Sequence, residues 1–138
     1  MTTENNNNKN KYYAPVKWFV SLRIAITGLW LIVKNERNFR IQIVMAFVVG
    51  LLGFFFDYSH QDWVNVGFLV CLVLITEAFN SVIEALSDTI SKEYRVNIKY
   101  AKDVAAGAVL ISAITSAIAG TIIILPYILA FLRSLNVI

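Results

Sequence analysis

Residues 64–88 read VNVGFLVCLVLITEAFNSVIEALSD, an apolar run that passes directly into four polar positions, Glu77, Asn80, Glu84 and Asp88. At about 100° per residue those four share one face of a helix. The stretch therefore reads as a lipid-spanning helix whose end carries a polar stripe out of the hydrocarbon. A carboxylate at that depth is costly unless it meets a partner or a ligand, so the stripe is the first candidate for chemistry.

The rest of the chain has the same character. Of 138 residues, 58% are hydrophobic and only 15% charged, far from the balance of a soluble domain. The single cysteine, Cys71, lies inside the apolar run, which excludes an internal disulfide and leaves it a packing residue. A net charge of +3 could point to nucleic acid, but the basic residues form no patch interleaved with aromatics and no nucleic-acid motif is present. Eleven of the twelve Lys and Arg residues fall in 1–40 or 92–102, a distribution that reports membrane orientation.

Residues 1–13 form a polar, asparagine-rich tail with little to bury, expected to be disordered. Residues 14–138 are read as a single membrane domain. The segment at about 14–34 alternates Trp18, Phe19, Leu22, Ile26 and Leu29 with Lys17, Arg23 and Thr27. That pattern predicts an amphipathic helix lying at the interface, with a tilted fourth span as the alternative. It lacks the uninterrupted apolar core and cleavage pattern of a signal peptide.

Three spans follow, at about 38–56, 62–90 and 101–133. The eighteen or so apolar-dominated residues of the first give roughly 27 Å of helix, enough to cross the hydrocarbon. The third is rich in Ala, Gly, Ser and Thr in its first half, a composition that permits close helix approach, and Pro126 is expected to kink its outer end. The fold class is thus all-α integral membrane. Basic residues before the first span and between the second and third place the N-terminus in the cytoplasm, residues 57–62 outside and the C-terminus outside.

That topology brings three clusters to the cytoplasmic rim: Asn35, Glu36 and Arg40; the stripe from Glu77 to Asp88; and Lys102 with Asp103. A divalent cation such as Mg²⁺ is held by one or two carboxylates together with phosphate oxygens and water, and Glu36 and Glu84 suffice for that. Glu77 lies about two turns, roughly 10 Å, deeper than Glu84, where a general base would meet a group in the lipid phase. Each of these acids taken alone could be a solvated face residue, and Asp103 could be a helix cap. His60 has no partner at metal-ligand spacing and is read as surface. No P-loop and no kinase Gly-rich loop occurs, so a nucleotide site here is not of the soluble types.

Taken in order, Asn35-Glu36-Arg37-Asn38-Phe39-Arg40, then Glu77-Ala78-Phe79-Asn80-Ser81-Val82-Ile83-Glu84 with Asp88, then Ala101-Lys102-Asp103-Val104-Ala105-Ala106-Gly107-Ala108-Val109, the chain resembles the small bacterial membrane lipid kinases of the prokaryotic diacylglycerol kinase and undecaprenol kinase family. The resemblance spans about 16–132. It implies a homotrimer in the bacterial inner membrane, with sites between subunits at the cytoplasmic interface, transferring the γ-phosphate of ATP to a membrane lipid hydroxyl.

Carried over by position, Glu77 matches the general base, and Glu36 and Glu84 match the Mg²⁺-binding carboxylates. Asn80, Asp88, Lys102 and Asp103 match nucleotide and phosphate positions, and Lys17 is counted with them. Gln42 departs from the pattern, standing where enterobacterial diacylglycerol kinases have a second glutamate, and it is not counted as a ligand. The stretch 103–109 looks more like the Gram-positive undecaprenol kinase branch. The reading outside catalysis is an oligomeric membrane protein whose cytoplasmic acids bind cations.

Overall fold

The computed structural model describes residues 18–91, 93 and 95–135. The asparagine-rich tail and Lys17 lie outside the described residues. Four helices follow one another: α1 (Trp18–Asn35), α2 (Arg37–Phe55), α3 (His60–Ile90) and α4 (Val96–Ser134). All four are long and apolar enough to cross a membrane, α1 being the least apolar, so this is the architecture of a multi-pass membrane protein. At 1.5 Å per residue, α3 is about 46 Å long, well beyond the roughly 30 Å of hydrocarbon. One end of α3 therefore extends past the lipid core.

Burial is inverted relative to a soluble protein. The buried hydrophobic residues are Phe39, Tyr58 and Val66, whereas Glu77, Asn80, Ser87 and Ser112 are buried polar residues. Large apolar side chains such as Phe47, Phe54, Phe68, Ile111 and Ile122 face outward. Lipid tails are as apolar as these side chains, so helix association rests on close packing and interhelical hydrogen bonds. The Thr76 and Ser112 hydroxyls lie 2.7 Å apart across α3 and α4, and the Ser116 hydroxyl donates to the Leu69 carbonyl at 3.2 Å. These contacts belong to the most extensive interface in the chain; α2 lies more sparsely against α3, and α1 meets α2. Of the small residues in the first half of the last span, Ser112 and Ser116 serve this α3–α4 seam, whereas Ala106 and Ala108 are exposed and a Cβ on Gly107 would meet nothing within 4 Å; α4 continues as a helix through Pro126.

Each junction has a local cause. Between α1 and α2 a single extended residue, Glu36, turns the chain (φ −97°, ψ 116°). The Arg40 guanidinium reaches back to the Val33 and Lys34 carbonyls at 3.2 and 2.8 Å, satisfying acceptors that the end of α1 leaves open.

Between α2 and α3 the chain closes in a Schellman turn. The Tyr58 N–H donates to the Gly53 carbonyl at 3.0 Å, with Asp57 in the left-handed region at φ 53°. Ser59 then caps α3 by accepting from the Asp62 N–H at 3.1 Å. The Tyr127 hydroxyl of α4 donates to the Asp62 carboxylate and accepts from the Ser59 N–H, which clamps the two long helices at this end. Burial, then the neighbouring Tyr127 and the Asp62 charge, push the Tyr58 hydroxyl above the ordinary phenol range.

Gly53 is where this corner has no room. A Cβ there would lie 2.7 and 2.8 Å from Trp63 ring atoms and 2.9 Å from the Tyr58 ring. Both rings are packed, Tyr58 against Trp63 and Tyr127, so neither can yield freely. Gly53→Ala is expected to destabilise the protein by about 1–3 kcal/mol, the usual penalty for overpacking, measured as a lower thermal midpoint in detergent. An unchanged midpoint would show that the corner is loose.

Candidate active site

The polar stripe lies on α3, as its spacing requires, and two of its members are buried. Glu77 is 2% exposed and Asn80 9% exposed, although α3 has only one helix packed extensively against it. Glu77 directly follows Thr76, whose hydroxyl meets Ser112 of α4, so its level along α3 is fixed by the tightest seam in the molecule. From the other side, Gln42 of α2 donates its side-chain amide to Glu77 Oε2 at 3.2 Å. One turn further, the Asn80 amide donates to Glu84 Oε1 at 3.2 Å, while the Asn80 carbonyl oxygen is buried without a partner. At the end of the stripe the Lys102 ammonium of α4 donates to Asp88 Oδ1 at 2.9 Å.

The structure thus pairs Glu77 with Gln42, Asn80 with Glu84, and Asp88 with Lys102. Asp103 stands apart, in an ion pair with Lys99 one turn back on α4. It is not a helix cap either, because α4 begins at Val96, earlier than expected, and Arg95 holds the cap position. Glu36 occupies the N-cap position of α2 without making a capping hydrogen bond, and it joins neither ion pair found among the described residues, so its carboxylate is uncommitted. Arg40, placed by the sequence in one cluster with Asn35 and Glu36, is engaged by the carbonyls at the end of α1.

Gln42 is the contact that sequence reasoning passed over, because it was weighed only as a metal ligand. The available signal was its isolation: between Ile41 and Phe55 it is the one polar side chain in an apolar helix, and such a group needs a partner. It also lines a half-open apolar pocket of about 330 Å³ between α2, α3 and α4, with Ile41, Met45, Val73, Leu74 and Ala113 among its walls.

The donor set suits a hard divalent cation. No cluster of three or more His, Cys, Asp or Glu exists among the described residues, which argues against a dedicated all-protein cage. Glu84 and the unpaired Asn80 carbonyl are oxygen donors, and Mg²⁺ needs only one or two carboxylates when phosphate and water complete its shell. Lys102 keeps further N–H donors beyond the one given to Asp88, so it can meet an anion without leaving its partner.

Comparison with known proteins identifies the family. The family model for prokaryotic diacylglycerol kinase matches residues 23–124. An undecaprenol kinase from Bacillus subtilis (strain 168) is 34% identical over 110 residues, covering 80% of this chain and 89% of the relative. A diacylglycerol kinase from Synechocystis sp. (strain ATCC 27184 / PCC 6803 / Kazusa) is 34% identical over 128 residues, covering 90% and 71% respectively. On these matches the chain belongs to the prokaryotic diacylglycerol kinase family.

Proposed function

We propose that the protein transfers the γ-phosphoryl group of ATP to the hydroxyl of a membrane lipid, undecaprenol or diacylglycerol, with Glu77 as general base. The observation that carries this reading is a carboxylate 2% exposed, at the end of an apolar span, whose side-chain partner is a neutral amide. No cation pairs with Glu77 among the described residues, so it is free to take a proton from an alcohol. The lipid oxygen bonds to the γ-phosphorus, the bond from that phosphorus to the β,γ-bridging oxygen breaks, ADP leaves with that oxygen, and the hydroxyl proton passes to Glu77.

Glu36 and Glu84 are assigned to Mg²⁺, with the Asn80 carbonyl beside Glu84 to direct it or its water. Bound there, the ion would neutralise phosphate charge and orient the leaving group. Lys17, Asn80, Asp88, Lys102 and Asp103 are assigned to the nucleotide. Among them Asp88 steadies the Lys102 ammonium, which then offsets charge on the transferring group. Positioning and electrostatics do most of the work in phosphoryl transfer, so a site this small is adequate.

The same reading makes residues 14–138 one kinase domain. α1 lies at the interface as an anchor, although it is long enough to span. The site and the N-terminus face the cytoplasm of a bacterial cell and the C-terminus lies outside. The outward apolar faces of α2 to α4 are divided between lipid and two further copies in a homotrimer.

The acceptor is identified by offering undecaprenol and diacylglycerol separately to purified protein in mixed micelles with γ-labelled ATP and Mg²⁺. The expected result is label in undecaprenyl phosphate or in phosphatidic acid. Cation binding with no labelled product from either lipid would favour the cation-binding membrane protein and contradict the kinase reading.

A further inference from the structure

Among the described residues, the bond from Gln42 to Glu77 is the one side-chain hydrogen bond that joins α2 to α3. It crosses the sparser of the two seams against α3, about three turns along α2 from the Gly53–Trp63 corner that fixes the other end. Gln42 lies six residues beyond Glu36, roughly 9 Å along α2, so a bond that fixes Gln42 against α3 also fixes the height of Glu36 relative to the stripe.

The orientation of the amide follows from chemistry. An ionised carboxylate only accepts hydrogen bonds, so the –NH₂ end must face Glu77 and the carbonyl must face away. The carbonyl oxygen is accordingly buried with no partner among the described residues. A buried unpaired acceptor is destabilising. A leucine at this position would line the pocket without that cost; what the amide adds is the donor to Glu77. That donor occupies Oε2 of Glu77 and leaves Oε1 without a side-chain partner.

We propose that Gln42 is the positioning residue of this site: it holds Glu77 by Oε2 so that Oε1 faces the acceptor hydroxyl, and it keys α2, with Glu36, to the catalytic face of α3. The inference rests on Glu77 being the base. It assigns a role to the position at which this chain departs from the enterobacterial pattern. Gln42 transfers no proton itself and touches neither nucleotide nor metal.

The test compares wild type, Gln42→Leu, Gln42→His and Glu77→Gln in lipid phosphorylation, with kcat and the KM for ATP determined separately and folding checked by circular dichroism and size exclusion. Losing a hydrogen bond to a charged group predicts a fall in kcat of roughly ten- to a hundredfold for Gln42→Leu, with a smaller change in the KM for ATP through Glu36. Gln42→His keeps a donor and is expected to recover most of the loss. Should the leucine variant not fold, Gln42→Met, similar in length and without a donor, is expected to lose kcat to a like degree.

Wild-type kcat in Gln42→Leu, or in Gln42→Met where that variant stands in, overturns the inference while leaving the kinase reading intact, provided Glu77→Gln is inactive. Equal impairment of the leucine and histidine variants also overturns it, since packing would then explain both. An inactive wild type, or a fully active Glu77→Gln, removes the base assignment and the inference together.

Discussion

Glu77→Gln is expected to lower turnover by about 10²–10⁴-fold, the range attributed to a positioned general base. The substitution is close to isosteric. A glutamine carbonyl at this position still accepts from Gln42, so the α2–α3 bond survives and the helices keep their register. What disappears is the only function a carboxylate has here that an amide lacks, the capacity to take a proton. Nucleotide contacts are assigned to Asp88, about three turns further along α3, and to its α4 partner Lys102, and both are untouched. Turnover should therefore collapse while ATP binding, measured by equilibrium dialysis, holds at its wild-type value. A parallel loss of binding would mean that Glu77 supports the fold or the nucleotide instead.

The second large effect is expected at Glu84. Replacing it by glutamine keeps an acceptor for the Asn80 amide, so the local hydrogen bond can persist. A formal charge next to the proposed Mg²⁺ is lost, however. Removing an outer partner of a metal site typically weakens binding by about 10–100-fold, and loss of a carboxylate ligand should cost at least that much. Glu84→Gln should accordingly raise the Mg²⁺ concentration for half-maximal activity by about tenfold or more, with activity partly recovered at high Mg²⁺. Glu77→Gln should show no such recovery. A Mg²⁺ titration of Glu84→Gln that overlays wild type would remove Glu84 from the metal site.

The parts of the fold that could be read from residues alone are those governed by local rules. Hydropathy marks the three long runs, and helical spacing puts Glu77, Asn80, Glu84 and Asp88 on one face, because both signals repeat within a single helix. The start of α4 is different. Its first turns, from Val96 to Tyr100, carry Asn97 and Lys99 and lie outside the apolar run, so hydropathy begins the segment late and makes Asp103 look like a cap. The fate of Arg40 is equally invisible, since it depends on the end of α1 folding back within reach. Gln42 and Glu77 are 35 residues apart, and only the packing of α2 on α3 brings them together. The lone polar residue in α2 announced that a partner existed without saying which.

The polar interior has a second consequence. The side-chain groups assigned to the proposed site come from the end of α3, the first turns of α4 and the junction of α1 and α2, yet they sit on a molecule many of whose large apolar residues face outward. Water has little access to Glu77 in that setting. A phosphoryl transfer base with restricted access to water favours an alcohol that arrives from the lipid phase over hydrolysis.

The most direct test of the account is the stoichiometry of a single turnover. Purified protein in mixed micelles, held in excess over γ-labelled ATP with Mg²⁺, is quenched with and without lipid acceptor, and ADP and labelled lipid are both counted. The account predicts one labelled lipid for each ADP formed, and negligible ADP when the acceptor is omitted. ADP and labelled inorganic phosphate formed at the same rate without lipid, or ATP left intact with acceptor present, would contradict it.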